Sequence, residues 1–241
     1  MYRQFDNLVN RLYKIALIDY DGVLINYSIS RKISEKSFEY AISKGEEKFG
    51  VVFPSEFRQY SYSNLNKLRR EYPEIFSYYL RHVEDIIKSD KSIRIEKKRM
   101  DAILKFVDER CKPDEKVVIT ANFAAEVMLN ALGYYDMKVI IVDGENYIST
   151  KSKAIRNLRE EKKREKGEVD VVYIGDTFED ALISVISGAK FIDVRRILNE
   201  IEKDLYNFRE EENIIYSTMP NLTGSLSKIN QNITFGGVND E

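Results

Sequence analysis
Five short runs in this chain are apolar almost without a break: "KIALID" (14–19), "KVVITA" (116–121), "KVIIVDG" (138–144), "VDVVYIGD" (169–176) and "AKFIDV" (189–194). A strand with one wet face alternates apolar and polar residues. Runs that do not alternate are buried on both faces, as in a parallel sheet covered by helices on both sides. A weaker sixth run is "NIIYS" (213–217). Helical patterns separate the later runs: "FAAEVMLNALG" (123–133), "KSKAIRNLREEKKREKG" (151–167) and "FEDALISVISGA" (178–189). The second has Ala154, Ile155 and Leu158 on one face. The third has Ala181, Leu182, Val185 and Ile186 at helical spacing. Strands alternating with helices of this length predict an α/β doubly wound fold.

The stretch between the first two runs is different. It holds helical patterns at 33–50, 63–72 and 73–89, the last opening on a proline, and no convincing buried strand. A further helix, "EKKRMDAILKFVDER" (96–110), feeds the second strand. The expected organisation is a discontinuous core of residues 1–25 and 96–228, a helical insert over 26–95, and a polar flexible tail over 229–241. At the N-terminus, Phe5, Leu8, Val9 and Leu12 predict a short amphipathic helix packed on the body, without the continuous apolar stretch of a signal peptide.

Composition narrows the chemistry. Thirty-eight basic and forty acidic residues, interleaved along the chain, give a net charge of -2, which argues against a nucleic-acid partner. No run approaches the ~18 apolar residues of a membrane span, so no membrane partner is expected. A single cysteine, Cys111, rules out an intrachain disulfide and fits a reducing, cytoplasmic setting. A single histidine, His82, rules out a multi-histidine metal site, so any metal is held mostly by oxygen, which favours Mg²⁺. A monomer or homodimer is expected.

Functional residues of open α/β sheets gather beyond the C-terminal ends of the strands. The first strand ends on Asp19 and Asp21, two acids one residue apart and followed by Gly22. Like charges that close are costly unless something offsets them. The second strand ends on Thr120, the fourth on Asp176, with Asp180 four residues on, and Lys151 opens the helix between the third and fourth strands. Each alone has an ordinary explanation: a turn, a common strand-end threonine, a surface lysine, a helix cap. Together, in order, they fit phosphate-ester chemistry, in which carboxylates hold Mg²⁺, one aspartate attacks phosphorus and a second acid protonates the leaving oxygen.

This set resembles the haloacid dehalogenase (HAD) superfamily. Its first motif, Asp-x-Asp-Gly-[Thr/Val], stands as "DYDGVL" (19–24), its second as "VVIT" (117–120), its third as Lys151, and its fourth, Gly-Asp-x-x-x-Asp, as "GDTFED" (175–180). The resemblance implies a HAD-like doubly wound parallel sheet with the helical insert as a cap, and a Mg²⁺-dependent phosphatase acting on a small phosphorylated metabolite through an aspartyl-phosphate. It implies that Asp19 is nucleophile and metal ligand, and that Asp21 is general acid and then base, its carbonyl also binding the metal. Thr120, Ala121, Asn122 and Lys151 would bind the phosphoryl group, Asp176 the metal, and Asp180 would support the metal or hold Lys151. Lys153 competes for the role of Lys151, but choosing it puts Arg156 and Asn157 where Lys151 puts Ala154 and Ile155. A phosphomutase shares every one of these residues, and a non-catalytic HAD-like binding or regulatory protein is the reading from a different class. In the insert, Tyr60, Tyr62, Arg69, Arg70, Arg81 and His82 are candidate substrate contacts. The competing expectation is that the arginines are solvated and the tyrosines pack.

Overall fold
A computed structural model describes residues 12–91 and 93–199. The expected N-terminal amphipathic helix, the sixth strand (213–217) and the tail (229–241) lie outside these residues, and the core expected to reach 228 is described as far as 199.

All five strongly apolar runs are strands: β1 (Tyr13–Ile18), β2 (Glu115–Thr120), β3 (Lys138–Ile141), β4 (Val169–Gly175) and β5 (Lys190–Asp193). They form one sheet in the order β3-β2-β1-β4-β5, and every neighbouring pair is parallel. Central β1 shows why its sequence does not alternate. Ala16 and Ile18 enter one apolar cluster, Ile15 and Leu17 another on the opposite face. Both faces are covered, so both sets of side chains are hydrocarbon.

Between β1 and β2 the chain makes four helices: α1 (Tyr27–Phe49), α2 (Tyr62–Glu71), α3 (Pro73–Ser89) and α4 (Ile93–Arg110), with a short 3-10 turn at Ser55–Arg58. Local signals set their ends. The Asn26 side chain accepts the Ser28 N–H (2.9 Å) at the start of α1, and Gly50 closes it in the left-handed region (φ 64°). Pro73 opens α3. The insert does not pack by itself. Ile33, Phe38, Leu68, Ile75, Tyr79 and Val83 belong to the same apolar cluster as Ile18, Val118, Ala124 and Met128 of the sheet side. Helices α5 (Ala125–Ala131), α6 (Tyr147–Lys166) and α7 (Phe178–Ser187) complete the described chain apart from a helical stretch at 194–199. No described helix is long and apolar enough to cross a membrane.

Two sequence expectations need correcting. Helix α6 starts at Tyr147, so Lys151 sits one turn inside it rather than opening it. Tyr147 and Ile148 pack against the cluster under the helix and extend its inward face back by a turn. Helix α7 is also rotated from its apolar pattern. Its buried residues are Asp180, Ile183, Ser184 and Ser187, while Val185 is 76% exposed and Leu182 and Ile186 are exposed too. A capping box explains the rotation: the Thr177 hydroxyl accepts the Asp180 N–H (3.1 Å), and the Asp180 carboxylate accepts the Thr177 N–H (3.2 Å). That box turns Asp180 inward, and the rest of the helix follows.

Candidate active site
Parallel pairing brings the ends of β1, β2 and β4 to one edge. Asp19, the first residue after β1, donates its N–H to the Ile174 carbonyl of β4 (2.9 Å) and is 5% exposed. Beyond it the chain doubles back: the Leu24 and Ile25 N–H groups both bond the Tyr20 carbonyl, and the Gly22 N–H bonds the Ile25 carbonyl (2.8 Å). Gly22 sits at φ 85°, and a Cβ there would lie 2.2 Å from Oδ2 of Asp176. Left-handed backbone and this close approach both require glycine. Gly22→Ala should therefore destabilise the protein by about 1–3 kcal/mol and displace Asp176. A melting curve checks it, and an unchanged melting temperature would refute the argument.

At the centre is Lys151, wholly buried. Its ammonium pairs with Oδ1 of Asp19 (2.9 Å) and Oδ1 of Asp180 (3.4 Å), and donates to the Tyr147 hydroxyl one helical turn before it. Two ring faces flank it, Tyr147 at 4.4 Å and Tyr173 at 5.1 Å. Lys153 is exposed, as are Arg156 and Asn157, so Lys151 is the lysine that reaches the strand ends.

The two carboxylates that share Lys151 are shifted in opposite directions. Burial pushes Asp19 up to about 7; Lys151 opposes this, while the negative charges of Asp180 and Asp21 add to it. Burial also acts upward on Asp180, but Lys151 and hydrogen bonds from Tyr173 and Thr177 outweigh it, and its carboxyl is held below the usual range. The difference lies in the donors. Asp180 receives the hydroxyls of Tyr173 and Thr177 and two backbone N–H groups, whereas Asp19 has the Tyr20 N–H (2.8 Å) and a long bond from Tyr147 (3.3 Å).

Asp21 is also pushed up by burial, against hydrogen bonds from Ser30 and Asn122. The Asn122 amide donates to Asp21 (3.2 Å) and to Ser30 on α1 (3.0 Å), and its carbonyl oxygen accepts the Ala124 N–H (2.9 Å). The side chain of Asn122 is thus committed to Asp21 and the insert. Thr120, 1% exposed, accepts the Asn122 N–H (3.0 Å), and Ala121 between them is half-buried.

Carboxylate oxygens of Asp19, Asp176 and Asp180 lie within 4.8 Å of one another. Oδ1 of Asp176 is buried and has no hydrogen-bond partner. Three clustered carboxylates, one of them with a buried unpaired oxygen, fit the donor set of a hard divalent cation such as Mg²⁺. The side-chain cluster adds Asp180 to Asp19 and Asp176, while the contribution expected of Asp21 was its backbone carbonyl.

The insert residues are placed differently from one another. Tyr62 accepts the Gly144 N–H (2.7 Å) and stacks on Phe123 (5.2 Å), and the Arg69 guanidinium lies 4.4 Å from the Phe123 ring centre. Tyr60 packs on Phe38, Arg81 lies over Tyr78, and His82 stacks on Tyr40 with Nδ1 3.1 Å from the Ser37 hydroxyl. Arg70 is exposed. Sequence reasoning missed Tyr147, Tyr173 and Ser30. None of the three left a signal in the sequence.

No model of a known protein family matches the sequence, and no curated protein does. Solved structures do match. A haloacid dehalogenase-like hydrolase from Streptococcus pneumoniae is 15% identical over 76% of this chain and 84% of its own, with a TM-score of 0.40. A 2-haloacid dehalogenase from Pseudomonas syringae pv. Tomato is 18% identical over 76% and 86%, with a TM-score of 0.40. Another hydrolase from S. pneumoniae is 10% identical over 79% and 98%, with a TM-score of 0.37. This chain's own geometry goes further than these likenesses: the segments around Asp19, Thr120, Lys151 and Asp176 converge on one edge of a parallel α/β sheet with β1 at its centre. That edge carries Asp19, Asp21, Thr120 and Asp176, and Lys151 reaches it from α6.

Proposed function
We propose that the protein is a Mg²⁺-dependent phosphatase that hydrolyses a small phosphorylated metabolite through an aspartyl-phosphate, with helices α1–α3 as the cap over the site. Asp21 carries this reading. It is a second, half-buried carboxyl beside the first, with its proton held more tightly than in water. Halide leaves without a proton, whereas the alkoxide of a phosphate ester needs one, so a proton donor here fits ester cleavage.

An oxygen of Asp19 attacks phosphorus in line, forming the acyl phosphate as the ester P–O bond breaks. Asp21 gives its proton to the departing alcohol. It then takes a proton from water, which attacks phosphorus and releases inorganic phosphate and the Asp19 carboxylate. Lys151 neutralises phosphoryl charge, and the Thr120 hydroxyl donates to a phosphoryl oxygen. Asp19, Asp176 and Asp180, with the Asp21 carbonyl, would hold Mg²⁺, which supplies positive charge at the phosphoryl oxygens.

The test is phosphate release from p-nitrophenyl phosphate and a panel of phosphorylated metabolites, with Mg²⁺ and with chelator. Chelation should lower the rate on the order of 10²-fold or more. Below pH 7 Asp19 of the metal-free protein holds a proton that Mg²⁺ must displace, so apparent Mg²⁺ affinity should fall up to about tenfold per pH unit there. Metal-independent turnover, or halide release from 2-haloacids with no phosphate release from the panel, would overturn the proposal.

A further inference from the structure
Lys151 has three N–H bonds, and each has a partner: Asp19, Asp180 and the Tyr147 hydroxyl. None is left for a phosphoryl oxygen. Asp19 is occupied in the same way. Its Oδ1 takes Lys151 and the Tyr20 N–H, and its Oδ2 takes the Tyr147 hydroxyl (3.3 Å). One hydroxyl therefore covers both the lysine's third N–H and the outer oxygen of Asp19. A phosphoryl group that is to be attacked by Asp19 and neutralised by Lys151 must reach those same two atoms.

Of the three partners of Lys151, Tyr147 is the one that can leave. Asp19 and Asp180 are carboxylates, and removing either from a buried ammonium forfeits a charge–charge contact. Tyr147 is a phenol held to Lys151 and Asp19 by hydrogen bonds alone, with no charge of its own to forfeit. It is half-buried where Lys151 is wholly buried, and it is the first residue of α6, whose N-cap Asn146 makes no side-chain capping bond. Asp180 is fixed by its capping box and by Tyr173.

We propose that the Tyr147 hydroxyl is a placeholder for a phosphoryl oxygen: it satisfies Lys151 and Asp19 in the empty site and is displaced when a phosphoryl group binds. This rests on the phosphatase reading. It predicts an unusual sign, because removing a residue that touches two site residues should tighten binding of phosphate. Without the hydroxyl, inorganic phosphate no longer competes for the lysine's third N–H, and its affinity should rise about three- to tenfold.

The experiment titrates inorganic phosphate into the Mg²⁺-loaded wild-type protein and Tyr147→Phe by calorimetry. It adds radical footprinting of wild-type protein with and without phosphate, which reports Tyr147 directly and needs no variant. The expected result is tighter binding by Tyr147→Phe, and greater labelling of Tyr147 in the wild type when phosphate is bound. Equal or weaker binding by a folded Tyr147→Phe, or labelling of Tyr147 that stays level or falls, would overturn the placeholder and leave Tyr147 as a positioning residue. If wild-type protein hydrolyses phosphate esters while these results are negative, only the placeholder fails. If it neither binds phosphate nor hydrolyses any ester, the phosphatase reading fails and the placeholder with it.

Discussion

Asp19→Asn should abolish turnover, by about 10³-fold or more, while leaving the protein folded and no less stable at pH 8. The first half follows from the nucleophile role proposed for Asp19. The second follows from its surroundings. Burial outweighs Lys151 in setting the Asp19 carboxyl, raising it from 3.8 to about 7. A carboxyl raised on folding contributes stability that is fully present below about pH 4 and is lost as pH rises through 7. At pH 8 the ionised Asp19 of the metal-free protein therefore costs a few kcal/mol that Asn does not incur. Lys151 keeps Asp180 and Tyr147 in the variant. Melting curves in chelator between pH 5 and 9 check this. The wild type should lose stability across that range and Asp19→Asn should lose less. Residual turnover near the wild-type rate, or a variant that melts well below wild type at pH 8, would contradict the assignment.

Lys151→Met should behave in the opposite way, losing both activity and stability. The substitution leaves two buried carboxylates facing each other with no cation between them, and breaking such a pair costs about 3–5 kcal/mol. In a protein this size that lowers the melting temperature by roughly 6–20 °C. Lys153→Met is the matched control. Lys153 is exposed two residues away, and its loss should leave melting temperature and turnover unchanged. The pair of variants separates a buried site lysine from a surface one. The assignment fails if Lys153→Met carries the damage or if Lys151→Met is silent.

The sheet was legible because burial on both faces leaves a direct mark on the inner strands β1, β2 and β4, and because the edge strands β3 and β5, which hold no wholly buried residue, still carry apolar runs. The strand-end acids were legible for a related reason, since charge at the tip of a buried strand has few structural uses. Helix α7 was misread because its pattern is amphipathic about the wrong axis. The face that packs inward holds Asp180, Ser184 and Ser187, and a capping box rather than hydrocarbon fixes the rotation. Tyr147 and Tyr173 were invisible for another reason. A tyrosine that flanks a buried ammonium is indistinguishable in sequence from one that fills a core. The resemblance already placed Asp180 beside the metal or Lys151; that its carboxylate lies within the acidic cluster depends on the turn of α7.

The apolar cluster that runs unbroken from the insert to the sheet carries a thermodynamic consequence. A lid with its own closed core could swing on its hinge at little cost in solvation. Here Phe38, Leu68 and Tyr79 lie in one hydrocarbon mass with Ile18, Val118 and Met128, so parting the insert from the sheet wets nonpolar surface. Any opened form would therefore have the higher heat capacity. Apolar adhesion weakens on cooling, so separation of the insert from the sheet would cost least in the cold.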